Sequence, residues 1–203
     1  MNTNITSAPL SRKLPVGIQS FEKLRNEGFL YVDKTAFVYQ LAKAGIPCFL
    51  SRPRRFGKSL LLSTFEAYFL GKKELFRGLA IEQLEQDWFE YPVLHLSLNA
   101  EKYDSRERLA NMLESQLSLW EERYGITDIN ISYSIRFMTV IRRAYEQTGR
   151  RVVVLIDEYD KPLLRSFGDE ELQKEFRETL TAFYTVLKDA DPWLQFVFIT
   201  GVT

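Results

Sequence analysis

With 203 residues and Lys+Arg and Asp+Glu both at 27, the chain carries no global field toward nucleic acid or anionic membrane, so any such attraction has to be local. A single cysteine excludes an internal disulfide and leaves too few thiols for a zinc or iron–sulfur centre, which fits a reducing compartment. The hydrophobic fraction of 45%, with 15 Phe and 10 Tyr, can fill the core of one α/β domain.

Met1 to Ser11 is polar and aperiodic and reads as a disordered lead-in, with the domain spanning residues 14–203. The start lacks a long apolar h-region and no later window approaches a membrane span, so the expectation is a cytoplasmic protein with no membrane partner. From Leu14 to Tyr31, apolar Val16, Ile18, Phe21, Leu24, Phe29 and Tyr31 surround a short polar helix. Asp33 is placed to cap a helix over Ala36 to Ala44, which Gly45 ends, and Pro47 opens a strand over Ile46 to Leu50. That strand delivers the cationic turn Ser51 Arg52 Pro53 Arg54 Arg55 Phe56 Gly57 Lys58 Ser59.

Beyond Ser59, the run Leu60, Leu61, Leu62, Phe65, Tyr68, Phe69 predicts a helix buried against a sheet and stopped by Gly71. A charged, mixed segment follows to Glu90. Val93 to Leu98 predicts a strand, Ser105 to Tyr124 an amphipathic helix, and Ser134 to Gln147 a shorter one. Val152 to Ile156 is aliphatic without alternation, as a strand covered on both faces would be, and it ends in Asp157 Glu158. Asp169 caps a long helix with the stripe Leu172, Phe176, Leu180, Phe183 and Leu187, and Gln195 to Thr200 forms the last strand.

Strands alternating with helices predict an α/β three-layer sandwich around a mainly parallel sheet. In such sheets ligands sit beyond the carboxyl ends of the strands, where the basic turn and the acidic pair would meet. Gly57, Lys58 and a hydroxyl at a helix start combine free N–H donors, an ammonium and a metal ligand, which together suit a nucleoside triphosphate. Arg54, Arg55, Phe56, Gly57, Lys58, Ser59 and Leu60 would cradle the nucleoside triphosphate, its base left open, and Ser59 and Asp157 would hold Mg2+. Glu158 is the candidate base for the attacking water. Thr200, with Thr203 as its substitute, would bond the γ-phosphate or that water. Arg52, Arg54 and Arg55 read as a solvated turn, a nucleic-acid contact or phosphate ligands, the last being favoured. Asp160 and Lys161 read as a structural pair, His95 as packing, and Cys48 as an inert hydrophobe in a buried strand.

The loop departs from GxxxxGK(S/T) at its first position, where Arg52 and Pro53 replace the glycine that usually permits a sharp reversal. The runs Leu14 Pro15 Val16 Gly17 Ile18 Gln19 Ser20 Phe21, Tyr31 Val32 Asp33 Lys34 Thr35, Ser51 to Ser59, and Leu155 Ile156 Asp157 Glu158 Tyr159 Asp160 Lys161 Pro162 together resemble the predicted AAA-ATPase-like family. That family's loop is glycine-poor and arginine-rich. The resemblance implies a P-loop NTPase fold of the additional-strand type, in which a further strand lies between the loop strand and the acidic strand. By position it makes Gly57, Lys58 and Ser59 the Walker A motif, Asp157 and Glu158 the Walker B motif, and Thr200 the sensor. It also places adenine contacts between Val16 and Lys34, with Phe21 or Tyr31 as the stacking ring.

Members usually continue past the sensor strand, often into a restriction-endonuclease-like nuclease domain. The expectation is therefore a domain truncated after that strand, with slow or absent turnover and any DNA or protein partner engaged through the region beyond. The first functional expectation is a Mg2+-dependent ATPase coupled to an effector module. The second is a nucleotide-gated binding module with little hydrolysis. A homo-oligomer is left open by the sequence.

Overall fold

Successive side chains on a strand point to opposite faces, so Val152 to Ile156 can be apolar throughout only if both faces are covered. In the computed structural model, which describes residues 13–127 and 132–202, every residue of β3 (Val152–Asp157) is buried. The lead-in Met1 to Ser11 and Thr203 lie outside the described residues.

β4 (Leu194–Gly201) and β2 (Val93–Ser97) pair with β3 on its two sides, and β1 (Cys48–Ser51) pairs with β4. All pairings are parallel, in the order β1-β4-β3-β2. The registers Leu96↔Ile156 and Ile156↔Ile199 bring the ends of three strands level. β4 therefore separates the loop strand from the acidic strand, as the additional-strand architecture implies.

Parallel crossovers are right-handed, so the direction of travel across the sheet fixes the face each helix covers. Passing from β1 to β2 places α3 (Lys58–Phe69) on one face. There α1 (Phe21–Asn26), α2 (Thr35–Ala44) and α4 (Ile81–Leu84) join it over Val153, Leu155, Phe196 and Phe198. Returning from β2 through β3 to β4 places α5 (Arg106–Arg123), α6 (Tyr133–Thr148) and α8 (Glu170–Asp189) on the other, over Val152, Val154, Ile156 and Val197. Phe65 meets Phe196 and Phe198 with ring centroids 5.0 and 4.8 Å apart on the first face, while Phe137 stacks on Phe183 at 4.5 Å on the second.

The elements follow the sequence with four corrections. β1 is an edge strand, and Phe49 is 58% exposed, so Cys48 sits at a half-buried edge position rather than in a buried strand. Partial burial still pushes its thiol up. Asp33 stands two residues before α2 and takes the amide and hydroxyl of Thr35 at 2.8 and 2.7 Å, while its other oxygen takes the Ala80 amide at 2.7 Å. It fastens α2 to the turn before α4 instead of capping at the helix boundary. His95 is not simply packed, because its Nδ1 lies 3.1 Å from Glu66 Oε2 and that contact, the leading cause, holds the Glu66 carboxyl below its usual range. The loop after β3 contains a short helix, α7 (Lys161–Arg165), with Pro162 in its first turn.

Two buried ion networks tie helices together. Arg136 on α6 reaches both oxygens of buried Glu121 at 2.7 Å each and both oxygens of half-exposed Glu114 at 2.6 and 2.9 Å, the last two residues being on α5. Tyr68 on α3 donates to Glu85 at 2.5 Å, and Lys43 on α2 meets the same carboxylate at 2.9 Å. Burial alone would raise the Glu85 carboxyl, but these donors and the Asp87 amide together hold it low.

Candidate functional site

The loop between β1 and α3 is built from two left-handed residues. Arg55 has φ 69° and Gly57 has φ 77°, whereas Arg52 lies outside that region. The chain reverses at Arg55 and Gly57, so no glycine is needed at Arg52. Instead the Arg52 amide continues the sheet, donating to the Gly201 carbonyl at 3.3 Å.

Within α3 the first N–H that finds a helical acceptor one turn back is Leu61, bonded to Gly57 O at 3.0 Å. The amides of Lys58, Ser59 and Leu60 precede it at the helix start and have no acceptor within the helix. They carry the positive end of a three-turn dipole. Lys58 is buried, and its ammonium spans the loop, donating to the carbonyls of Arg52 at 2.9 Å and Pro53 at 3.2 Å. An ammonium has three donors, and two are used here. The third is free to meet an anion in the cleft.

Across from the loop, β3 ends in Asp157 and the chain turns sharply at Glu158, φ 53°. Thr200 on β4 holds this turn. Its buried hydroxyl donates to Asp157 Oδ1 at 2.5 Å and accepts the Glu158 amide at 3.3 Å, and its carbonyl accepts from Tyr159 at 3.0 Å. The hydroxyl is therefore spent on positioning the two acids rather than pointing at a phosphate. Asp160 and Lys161 do not pair with each other. Asp160 accepts the Val202 amide at 2.8 Å, while Lys161 donates to the backbone and side chain of Asn99 and lies 3.8 Å from the Glu158 carboxylate.

The loop and Glu158 share one cleft of about 750 Å³, lined by Arg54, Arg55, Gly57, Lys58, Ser59 and Leu60 on the loop side, by Glu158, and by Pro15 to Gln19, whereas Asp157 and Thr200 are buried and do not line it. Phe56 is 70% exposed and does not line it. The expected adenine-stacking rings are elsewhere. Phe21 is fully buried against Tyr31 and Phe76 at 5.2 and 4.9 Å, because the apolar positions of α1 serve the core. The wall Pro15 to Gln19 opens the stretch Val16 to Lys34 in which the family resemblance implies adenine contacts, and Gly17, φ 73°, turns the chain there just ahead of the Ser20 cap of α1.

A family model described as "Predicted AAA-ATPase" matches residues 15–203. The chain belongs to the predicted AAA-ATPase family. It is 41% identical over 194 residues to the Azotobacter chroococcum mcd 1 protein called "Uncharacterized protein in vnfD 5'region", a match covering 95% of this chain and 37% of that relative. The chain thus spans little more than a third of the relative's length. No solved structure matches it. Among the described residues of this AAA-ATPase family member, no helix is long and apolar enough to cross a membrane.

Gly201 stands between the loop and the acidic turn, its carbonyl accepting the Arg52 amide at 3.3 Å. A Cβ there would stand 2.5 and 2.8 Å from the Tyr159 ring and 3.1 Å from the Asp160 carboxyl carbon. Gly201→Ala is expected to push the acidic turn off Thr200 and cost about 1–3 kcal/mol, as overpacking does. Chemical denaturation of the two proteins checks this, and equal midpoints would show that the turn has slack.

Proposed function

We propose that the cleft binds a nucleoside triphosphate with Mg2+ and hydrolyses it, coupling occupancy to a module outside this chain. The observation that carries the reading is that Glu158 and the Lys58–Ser59 helix start line one cleft. A cationic cradle facing a carboxylate is the division of labour that phosphoanhydride hydrolysis needs.

Each residue has a task in this reading. The free amides at the start of α3 and the third donor of Lys58 hold phosphate oxygens. Arg54 and Arg55 add charge at the rim. Among the described residues no three acidic, His or Cys side chains form a metal cage. Mg2+ carried in with phosphates needs none, since one or two protein oxygens complete its shell, and the Ser59 hydroxyl and Asp157 carboxylate are hard donors suited to it. Mg2+ held by Ser59 and Asp157 would supply Lewis-acid stabilisation of the charge that develops during phosphoryl transfer. Thr200 keeps Asp157 and Glu158 in register, and Glu158 takes the proton of the attacking water.

The test is nucleotide binding by the native protein and Lys58→Ala, followed by titration calorimetry with ATP and Mg2+. The native protein is expected to bind, and loss of the ammonium to weaken binding at least about 10-fold, in the range of a charge-assisted hydrogen bond. Equal affinities, or no binding by the native protein, would sink the reading.

A further inference from the structure

The cleft is electrically lopsided. Its loop side carries Arg54, Arg55 and Lys58, whereas the wall Pro15, Val16, Gly17, Ile18, Gln19 carries no charge. Phosphates belong to the first side, which leaves the second for the uncharged end of the ligand. On that wall the only side chain able to form hydrogen bonds is Gln19, and it is exposed.

The wall is anchored at both ends. Before it, the Leu30 amide donates to Lys13 O at 2.8 Å; after it, the Phe21 amide donates to Ser63 Oγ at 2.9 Å. Ser63 lies four residues beyond Ser59 on α3, so the two serines share a helix face one turn apart. The helix that presents its start to the phosphates therefore also holds the wall two residues from Gln19. A ligand gripped at Ser59 has its far end fixed relative to that side chain.

A carboxamide offers an acceptor and a donor side by side. Adenine offers the complementary pair, the N6 amino group and N7, and a glutamine can engage both. On that same edge guanine offers two acceptors, N7 and O6, and satisfies only the amide donor. Resting on the nucleotide reading above, we propose that Gln19 reads the base and is the residue that selects adenine over guanine.

The experiment measures binding of ATP, GTP and inorganic tripolyphosphate, each with Mg2+, to the native protein, Gln19→Met and Gln19→Ala. Gln19→Met keeps length and removes both hydrogen-bonding groups, and an exposed position tolerates either change. The expected result is an ATP affinity about 10-fold lower in both variants, the size of a bidentate base contact, with GTP and tripolyphosphate unchanged. An ATP-to-GTP ratio that is the same in all three proteins overturns the assignment while leaving the phosphate cradle standing. A native protein that binds none of the three removes the nucleotide reading itself and the assignment with it.

Discussion

Glu158→Gln is expected to bind ATP and Mg2+ as the native protein does and to release phosphate about 10²–10⁴-fold more slowly, the usual worth of a positioned general base. The two side chains have nearly the same shape, and the Glu158 backbone contacts to the Thr200 hydroxyl do not depend on the carboxylate. Nothing in the cradle made by Lys58, Ser59 and the free amides is altered, so affinity is preserved. What is lost is the only acidic side chain that lines the cleft among the described residues. Single-turnover phosphate release, with binding measured in parallel, reads both quantities. Equal release from the two proteins would remove Glu158 from its role, and slow release from both with tight binding would favour the nucleotide-gated switch.

The largest stability effect is expected at Arg136, far from the cleft. Its guanidinium is buried between α5 and α6 and makes paired hydrogen bonds to Glu121, which is 3% exposed, and to Glu114. The two carboxylates push the guanidinium further up and so keep it charged, and the same pairing is the leading cause holding Glu114 below its ordinary range. Arg136→Leu strands the Glu121 carboxylate in the interior and should cost about 3–5 kcal/mol, a fall in Tm on the order of 10 °C for a chain of this size. The double variant Arg136→Leu, Glu121→Leu removes both charges and should recover most of the loss. Thermal unfolding of the three proteins decides it. If the single variant falls by less than about 1 kcal/mol, the ion pair is not the fastening between these helices.

The parts of the fold that could be read in advance are those where side-chain character and neighbourhood coincide. An aliphatic run such as Val152 to Ile156 has one comfortable environment, and the acids at its end are then placed by topology. The apolar Cys48 Phe49 Leu50 run looked the same, yet β1 lies at the sheet edge. Hydrophobicity reports what a residue would tolerate and not whether a neighbour is present. The loop's left-handed turn at Arg55 was invisible because arginine gives no sign of positive φ, and the search for a glycine went to the wrong position. The cleft wall Val16 to Gln19 falls within the stretch that the family resemblance indicates, but Phe21 and Tyr31 do not line it, because an aromatic side chain gives the same signal whether it serves a core or a ligand. The hydroxyl of Thr200 was placed correctly at a strand tip, but its partner, the Asp157 carboxylate, depends on a register between β3 and β4 that no local pattern encodes.

Glu158 sits at φ 53°, a main-chain shape that an L-residue with a long side chain adopts at a penalty of about 1 kcal/mol or more. Glycine would relieve it. A carboxylate kept there works against the folding of its own turn, and the deficit is borne because Thr200 clasps the peptide from both sides. Any drift of this chain toward greater robustness at that position therefore leads through loss of the carboxylate that lines the cleft.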